Sequence, residues 1–194
     1  MKVFGLTGGI GSGKTTIGNI FKILGVAVYN ADERGKWLTE NYATIQSKLK
    51  TTFGENIFNT SNTLDKNKLA EIVFNNKTEL NKLNSIIHPE VKLDFEKWIK
   101  KQKGNYVLKE SAIIFENGLE KELDGVIGVI ADEEIRIKRV MKRSSLKEQE
   151  IRVRINNQLN QEILRDKCNW FVNNNEDDLV LPQVIALHKI LNEL

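Results

Sequence analysis

The first 30 residues place a short apolar run, a glycine-rich loop and an amphipathic stripe in immediate succession, an order that few folds accept. Lys2 to Leu6 (KVFGL) reads as a buried strand. The run Thr7-Gly8-Gly9-Ile10-Gly11-Ser12-Gly13-Lys14-Thr15-Thr16 follows directly. Ile17, Ile20, Phe21 and Leu24 then recur at three- and four-residue spacing, which predicts one apolar face of a helix. Gly25 suits a left-handed helix end. Val26 to Tyr29 reads as a second strand, with Asn30-Ala31-Asp32 at its carboxyl end. Strand, loop, helix and strand in this order make a βαβ unit, which requires a parallel sheet.

Gly8-x-x-x-x-Gly13-Lys14-Thr15 satisfies the phosphate-loop pattern, and a strand before it with a helix opening inside it is the context that pattern needs. Glycines at 8, 9, 11 and 13 let successive backbone N–H groups converge on a polyphosphate, with Ser12 and Thr16 alongside. The helix N-terminus adds a favourable dipole. Lys14 is placed to contact the β- and γ-phosphates of ATP, and the Thr15 hydroxyl to ligate Mg²⁺.

Downstream the pattern changes. From about 33 to 103 the chain reads as helices without a convincing strand: Trp37 to Leu49, Asp65 to Phe74, Thr78 to Ile87, and another opening at His88-Pro89. Proline at a first helical position loses nothing by lacking an N–H, so Pro89 predicts a new start, with Val91, Phe95, Trp98 and Ile99 as the stripe. Tyr106 to Lys109 and Val126 to Ala131 restore strand character, Asp132 is placed to cap the next helix, Trp170 to Val172 reads as a last short strand, and Pro182 to Leu194 as the last helix. The expected organisation is one domain, with a core at about 1–32, 104–135 and 165–194, a helical insertion at about 33–103 and a lid at about 136–164.

Composition narrows the function classes. No apolar run nears the roughly 20 residues that cross a bilayer, nothing at the N-terminus reads as a leader, and Cys168 is the sole cysteine, so a reducing, cytoplasmic setting is expected. Two histidines and one cysteine leave little from which to build a zinc site. Net charge is only +3, but Arg136 to Arg154 holds eight basic residues against two acidic ones. Such a cluster suits a polyanionic ligand or a solvated helix face.

Two features argue for phosphoryl transfer to a small molecule. Asp32, at the carboxyl end of the second strand, lies on the edge where open α/β sheets bind ligands, and can accept the proton of an attacking hydroxyl; capping the next helix is its other role. Arg139 and Arg143, one helical turn apart, can close over phosphates and exclude water, or can be plain surface arginines. Glu110, at the end of the third strand, is placed beside the metal site. Other readings remain open at this point: a kinase for a nucleoside monophosphate or sugar acid, or a nucleotide-dependent switch or nucleic-acid-binding module. No N/T-K-x-D run for guanine recognition is present.

Over nearly its whole length the sequence resembles the dephospho-coenzyme A kinase family. LTGGIGSGKTT resembles that family's phosphate loop, and Asn30-Ala31-Asp32 its D-A-D element. Leu83 to Pro89 resembles its L-x-x-x-x-H-P element, and Glu110 to Glu116 a strand-end D-[IV]-P-L-L-[FY]-E. Lys138, Arg139 and Arg143, followed by Gln158, resemble the lid element, and Asn169 to Asn174 the late D-x-x-[IL]-x-N. The resemblance implies a P-loop kinase fold, three-layered α/β/α around a parallel sheet, with a helical acceptor-binding insertion and a helical lid. It implies transfer of the ATP γ-phosphate to the ribose 3′-hydroxyl of dephospho-CoA by a monomer or small homo-oligomer, without nucleic acid or membrane. By the same analogy Asp32 is the base, and Lys14 and Arg139 act on the phosphates. Arg139, Arg143 and Asn174 lie near ATP, while Lys36, His88, Phe115 and Glu116 face the acceptor. His88 as a helix cap and Phe115 as a core residue are the alternatives. Asn30, Lys36, Ala112 and Asn169 depart from the family pattern, and Lys36 replaces a forked contact with a point charge.

Overall fold

The computed structural model describes residues 1–74 and 76–194. The chain divides into two compact units: residues 1–30 with 102–194, and residues 31–101.

The first unit is built on five parallel strands: β1 (Lys2–Thr7), β2 (Ala27–Asn30), β3 (Tyr106–Glu110), β4 (Gly125–Ile130) and β5 (Trp170–Asn173), in the order β2-β3-β1-β4-β5. β1 is therefore central, hydrogen-bonded on both edges, and reads as a continuous apolar run because both its faces are covered. Alternate residues Phe4 and Leu6 point to the layer of α1 (Lys14–Ile23) and α9 (Val180–Glu193), where they pack with Ile17, Phe21, Leu187 and Leu191. Gly5 and Gly128 leave room on the other face, where added Cβ atoms would meet Ile114 and Leu123, or Cys168 and Phe171. α8 (Gln161–Lys167) packs against β4 there, completing three layers. Between β4 and β5 the chain also forms α6 (Glu133–Arg143) and α7 (Glu148–Asn156), which share a small apolar core of Ile137, Val140, Ile151 and Ile155.

The second unit is helical: α2 (Ala31–Asn41), α3 (Ala43–Phe53), α4 (Lys66–Phe74) and α5 (Lys77–Ile99). Leu38, Ile45, Leu49, Ile57 and Leu69 form its centre, and α5 packs against the other three helices. Arg34 ties α2 to α5 by pairing with both Asp94 carboxylate oxygens, at 2.9 and 2.6 Å.

Three sequence expectations need correction. The helix read from Trp37 to Leu49 is two helices, broken at Tyr42, whose extended backbone (φ −99°, ψ 112°) opens α3. Pro89 does not start a helix: it lies inside the continuous α5. An internal proline costs about 3 kcal/mol, but burial on both sides of it opposes a break. Leu83 and Ile86 before it and Val91 after it pack on one apolar cluster. His88 is accordingly mid-helix, not a cap. Asp132 does occupy the N-cap position of α6, yet its side chain makes no capping hydrogen bond.

Candidate active site: the loop after the central strand

The loop from Gly8 to Gly13 leaves the carboxyl end of β1 and enters α1 with no side-chain cap and no acidic residue in the first turn. The first-turn amides of α1 therefore remain available to an anion. Gly13 is left-handed (φ 94°, ψ 22°), and its missing Cβ leaves the space that the Asn174 amide occupies.

Several loop carbonyls have named donors. The Lys14 ammonium donates to the Gly8 carbonyl at 2.7 Å and reaches that of Gly9 at 3.4 Å. Ser12 N–H also donates to Gly9 O, at 3.1 Å. Asn174 Nδ2, just past β5, donates to the Ser12 carbonyl at 2.7 Å. Arg136 Nε donates to the Ile10 carbonyl at 2.9 Å, while the Ile10 N–H donates to Gln158 Oε1 at 2.7 Å. The Ile10 side chain packs against the α6–α7 core.

Two polar atoms at the loop are buried without a hydrogen-bond partner among the described residues: Ser12 Oγ and Arg139 Nη1. Arg139 Nη1 lies 4.0 Å from where a Gly13 Cβ would stand. Buried polar atoms are normally paired, so two orphans at one loop mark a place for a polar ligand. The Thr15 hydroxyl donates to Glu110 Oε1 at 2.9 Å, joining the start of α1 to the end of β3. A hydroxyl beside a carboxylate suits a hard divalent cation. No cluster of three or more His, Cys, Asp or Glu side chains forms among the described residues.

The loop glycines, Ser12, Lys14, Thr15, Arg139, Asn174 and Glu110 thus come together around the start of α1. Thr16 follows Thr15 on the first turn of α1, exposed, and Arg143 is exposed in the last turn of α6. Glu116 accepts from the Leu159 N–H at 3.0 Å, and Lys167 sits 5.6 Å from the Phe115 ring centre. Asp32 lies in the first turn of α2, Lys36 is exposed on the same helix, and His88 is half-buried in α5, all in the second unit. Asn169 acquires a structural role: its side-chain oxygen accepts from Val126 N–H at 2.8 Å and its own N–H donates to Val126 O at 2.9 Å, extending the β4–β5 ladder. Arg136 is the residue that sequence reasoning misses. It is 3% exposed, and burial lowers its pKa from the ordinary arginine value.

A phosphate loop on the central strand of a parallel sheet, with α6 and α7 inserted before the last strand, defines a P-loop kinase. A crystal structure from Thermus thermophilus matches with a TM-score of 0.88 at 31% identity, covering 100% of this chain and 97% of that one. The dephospho-CoA kinase from Campylobacter jejuni matches with a TM-score of 0.67 at 25% identity, covering 98% of this chain and 97% of that one. The family model for dephospho-CoA kinase matches residues 2–179. A dephospho-CoA kinase of Fusobacterium nucleatum is 36% identical over 176 residues, 90% of each chain. The chain belongs to the dephospho-CoA kinase family.

Proposed function

We propose that the protein transfers the γ-phosphoryl group of ATP to the ribose 3′-hydroxyl of dephospho-CoA, giving CoA and ADP. Family membership supports the acceptor. The observation that carries the donor side is the pair of unpartnered buried atoms, Ser12 Oγ and Arg139 Nη1, beside a loop whose Ile10 and Ser12 carbonyls are held by Arg136 and Asn174.

In this reading the Lys14 ammonium exchanges its carbonyl partners for β- and γ-phosphate oxygens, and Arg139 donates to the phosphates from the opposite side. Thr15 and Glu110 would hold Mg²⁺, which neutralises phosphate charge when bound. Asp32 accepts the proton of the 3′-hydroxyl as its oxygen attacks phosphorus; the bond from the γ-phosphorus to the β–γ bridging oxygen breaks, and ADP leaves with that oxygen. Arg143 and Asn174 support the nucleotide, while Lys36, His88, Phe115 and Glu116 border the acceptor. Glu116 and Phe115 would do so while also holding Leu159 and Lys167. The enzyme would act in the cytoplasm as a monomer or small homo-oligomer. Among the described residues, no helix is long and apolar enough to cross a membrane.

The test is ADP release with dephospho-CoA, nucleoside monophosphates and sugar acids offered in parallel. Release that depends on dephospho-CoA alone supports the assignment. Faster turnover of another acceptor overturns it.

A further inference from the structure

Loop amides can converge on an anion only if the loop carbonyls face outward, and each outward carbonyl in a covered site needs a donor. The donors found here are not equivalent. Lys14 holds Gly8 and Gly9 only until it turns to a phosphate. Asn174 holds Ser12 with a neutral amide. Arg136 holds the Ile10 carbonyl with a group that stays cationic at any physiological pH.

The surroundings of Arg136 are specific. A Cβ on Gly9 would fall on its guanidinium, and a Cβ on Gly11 on its backbone carbonyl. The charge therefore lies against Gly9-Ile10-Gly11, in a residue 97% hidden from solvent. The Glu133 carboxylate acts on it electrostatically, and is itself engaged by Arg152 at 2.7 Å. A cation withdrawn from water this way acts over distance with little screening, unlike the exposed arginines of the same segment.

We propose that Arg136 is a positioning residue for the phosphate donor: it fixes the first half of the loop with its carbonyl turned out and places a buried positive charge behind the bound polyphosphate, without touching it. This rests on the loop being the nucleotide site and is independent of which acceptor is used. It also explains why the residue lies on α6: the helix that carries Arg139 to Gly13 carries Arg136 beneath Ile10, one turn earlier.

Calorimetric titration with inorganic tripolyphosphate and with ATP, on wild type, Arg136→Met and Arg136→Lys, tests the proposal alongside steady-state kinetics. Arg136→Met is expected to weaken tripolyphosphate and ATP by the same factor, about tenfold or more, and to raise KM for ATP while KM for dephospho-CoA stays within about twofold. Arg136→Lys keeps the charge but lacks the Nε–H fork, so it should recover part of the loss, remaining about threefold weaker than wild type. A tripolyphosphate affinity within about twofold of wild type in folded Arg136→Met, or a loss carried by kcat alone, overturns the proposal. If Arg136→Met does not fold, Arg136→Lys decides: weaker tripolyphosphate binding supports the role and wild-type binding ends it. Wild-type protein that binds neither probe would overturn the donor site itself, and the proposal with it.

Discussion

Gly13 and Asn174 occupy one space, and the consequence can be measured. Replacing Gly13 by alanine puts a Cβ on a residue at φ 94°, a left-handed backbone that costs an L-residue about 1–2 kcal/mol. The same Cβ falls on Asn174 Nδ2, so the amide must leave the Ser12 carbonyl it now holds at 2.7 Å. Leaving that carbonyl without its donor costs about 1–3 kcal/mol, which brings Gly13→Ala to roughly 2–5 kcal/mol. Asn174→Ala loses the same hydrogen bond directly, again about 1–3 kcal/mol. The double variant loses the bond once and keeps only the backbone strain, so it should cost roughly 2–5 kcal/mol where simple addition gives about 3–8. The expected coupling is therefore about 1–3 kcal/mol in the direction of less damage than the sum. Urea unfolding of the four proteins, followed by far-UV circular dichroism and extrapolated to water, reads it out. Additivity within about 0.5 kcal/mol would refute the shared-space argument.

Asp32→Asn should lower kcat by about 10²–10⁴ with KM for ATP nearly unchanged, and an undiminished kcat would remove Asp32 from the base role. Glu110→Gln keeps a hydrogen-bond acceptor for Thr15 but loses the charge, so half-maximal activity should need about tenfold more Mg²⁺; an unaltered metal titration would contradict that placement. Burial pushes the Cys168 thiol up to about 12 from an ordinary 9.0, and raises the Tyr106 hydroxyl as well. The folded protein keeps these protons where the unfolded chain loses them, so stability should be intact below pH 9 and fall as pH rises toward 12. Urea midpoints that fail to drop above pH 9 would contradict this; Cys168→Ser should flatten the decline.

The parts legible in the sequence are those set by local pattern. The apolar face of α1, the left-handed Gly25 (φ 87°) and the phosphate-loop glycines follow from spacing and backbone chemistry within a few residues. The carboxylate at the end of β3 was readable for the same reason, since a strand boundary can be counted. What was not legible depends on partners far along the chain. Pro89 carries a start signal, and only the shared cluster of Leu83, Ile86 and Val91 explains why α5 runs through it. Arg136 looks like one more cation in a basic segment. Its burial follows from an Ile10 carbonyl 126 positions away. One local signal was available: Arg136 is adjacent to Ile137 and four before Val140, on the edge of the buried stripe of α6. Gln158 and Asn174 reach the loop from 148 and 162 positions away; the family resemblance marks both positions, but no local spacing shows which loop group each one holds.

The proposed transfer is tested most directly by following the phosphorus itself. With ATP labelled at the γ-phosphate and dephospho-CoA present, the label should appear in CoA, at its ribose 3′-phosphate, at the rate at which ADP is released. Label recovered only as inorganic phosphate, with dephospho-CoA returned unchanged, would contradict the account.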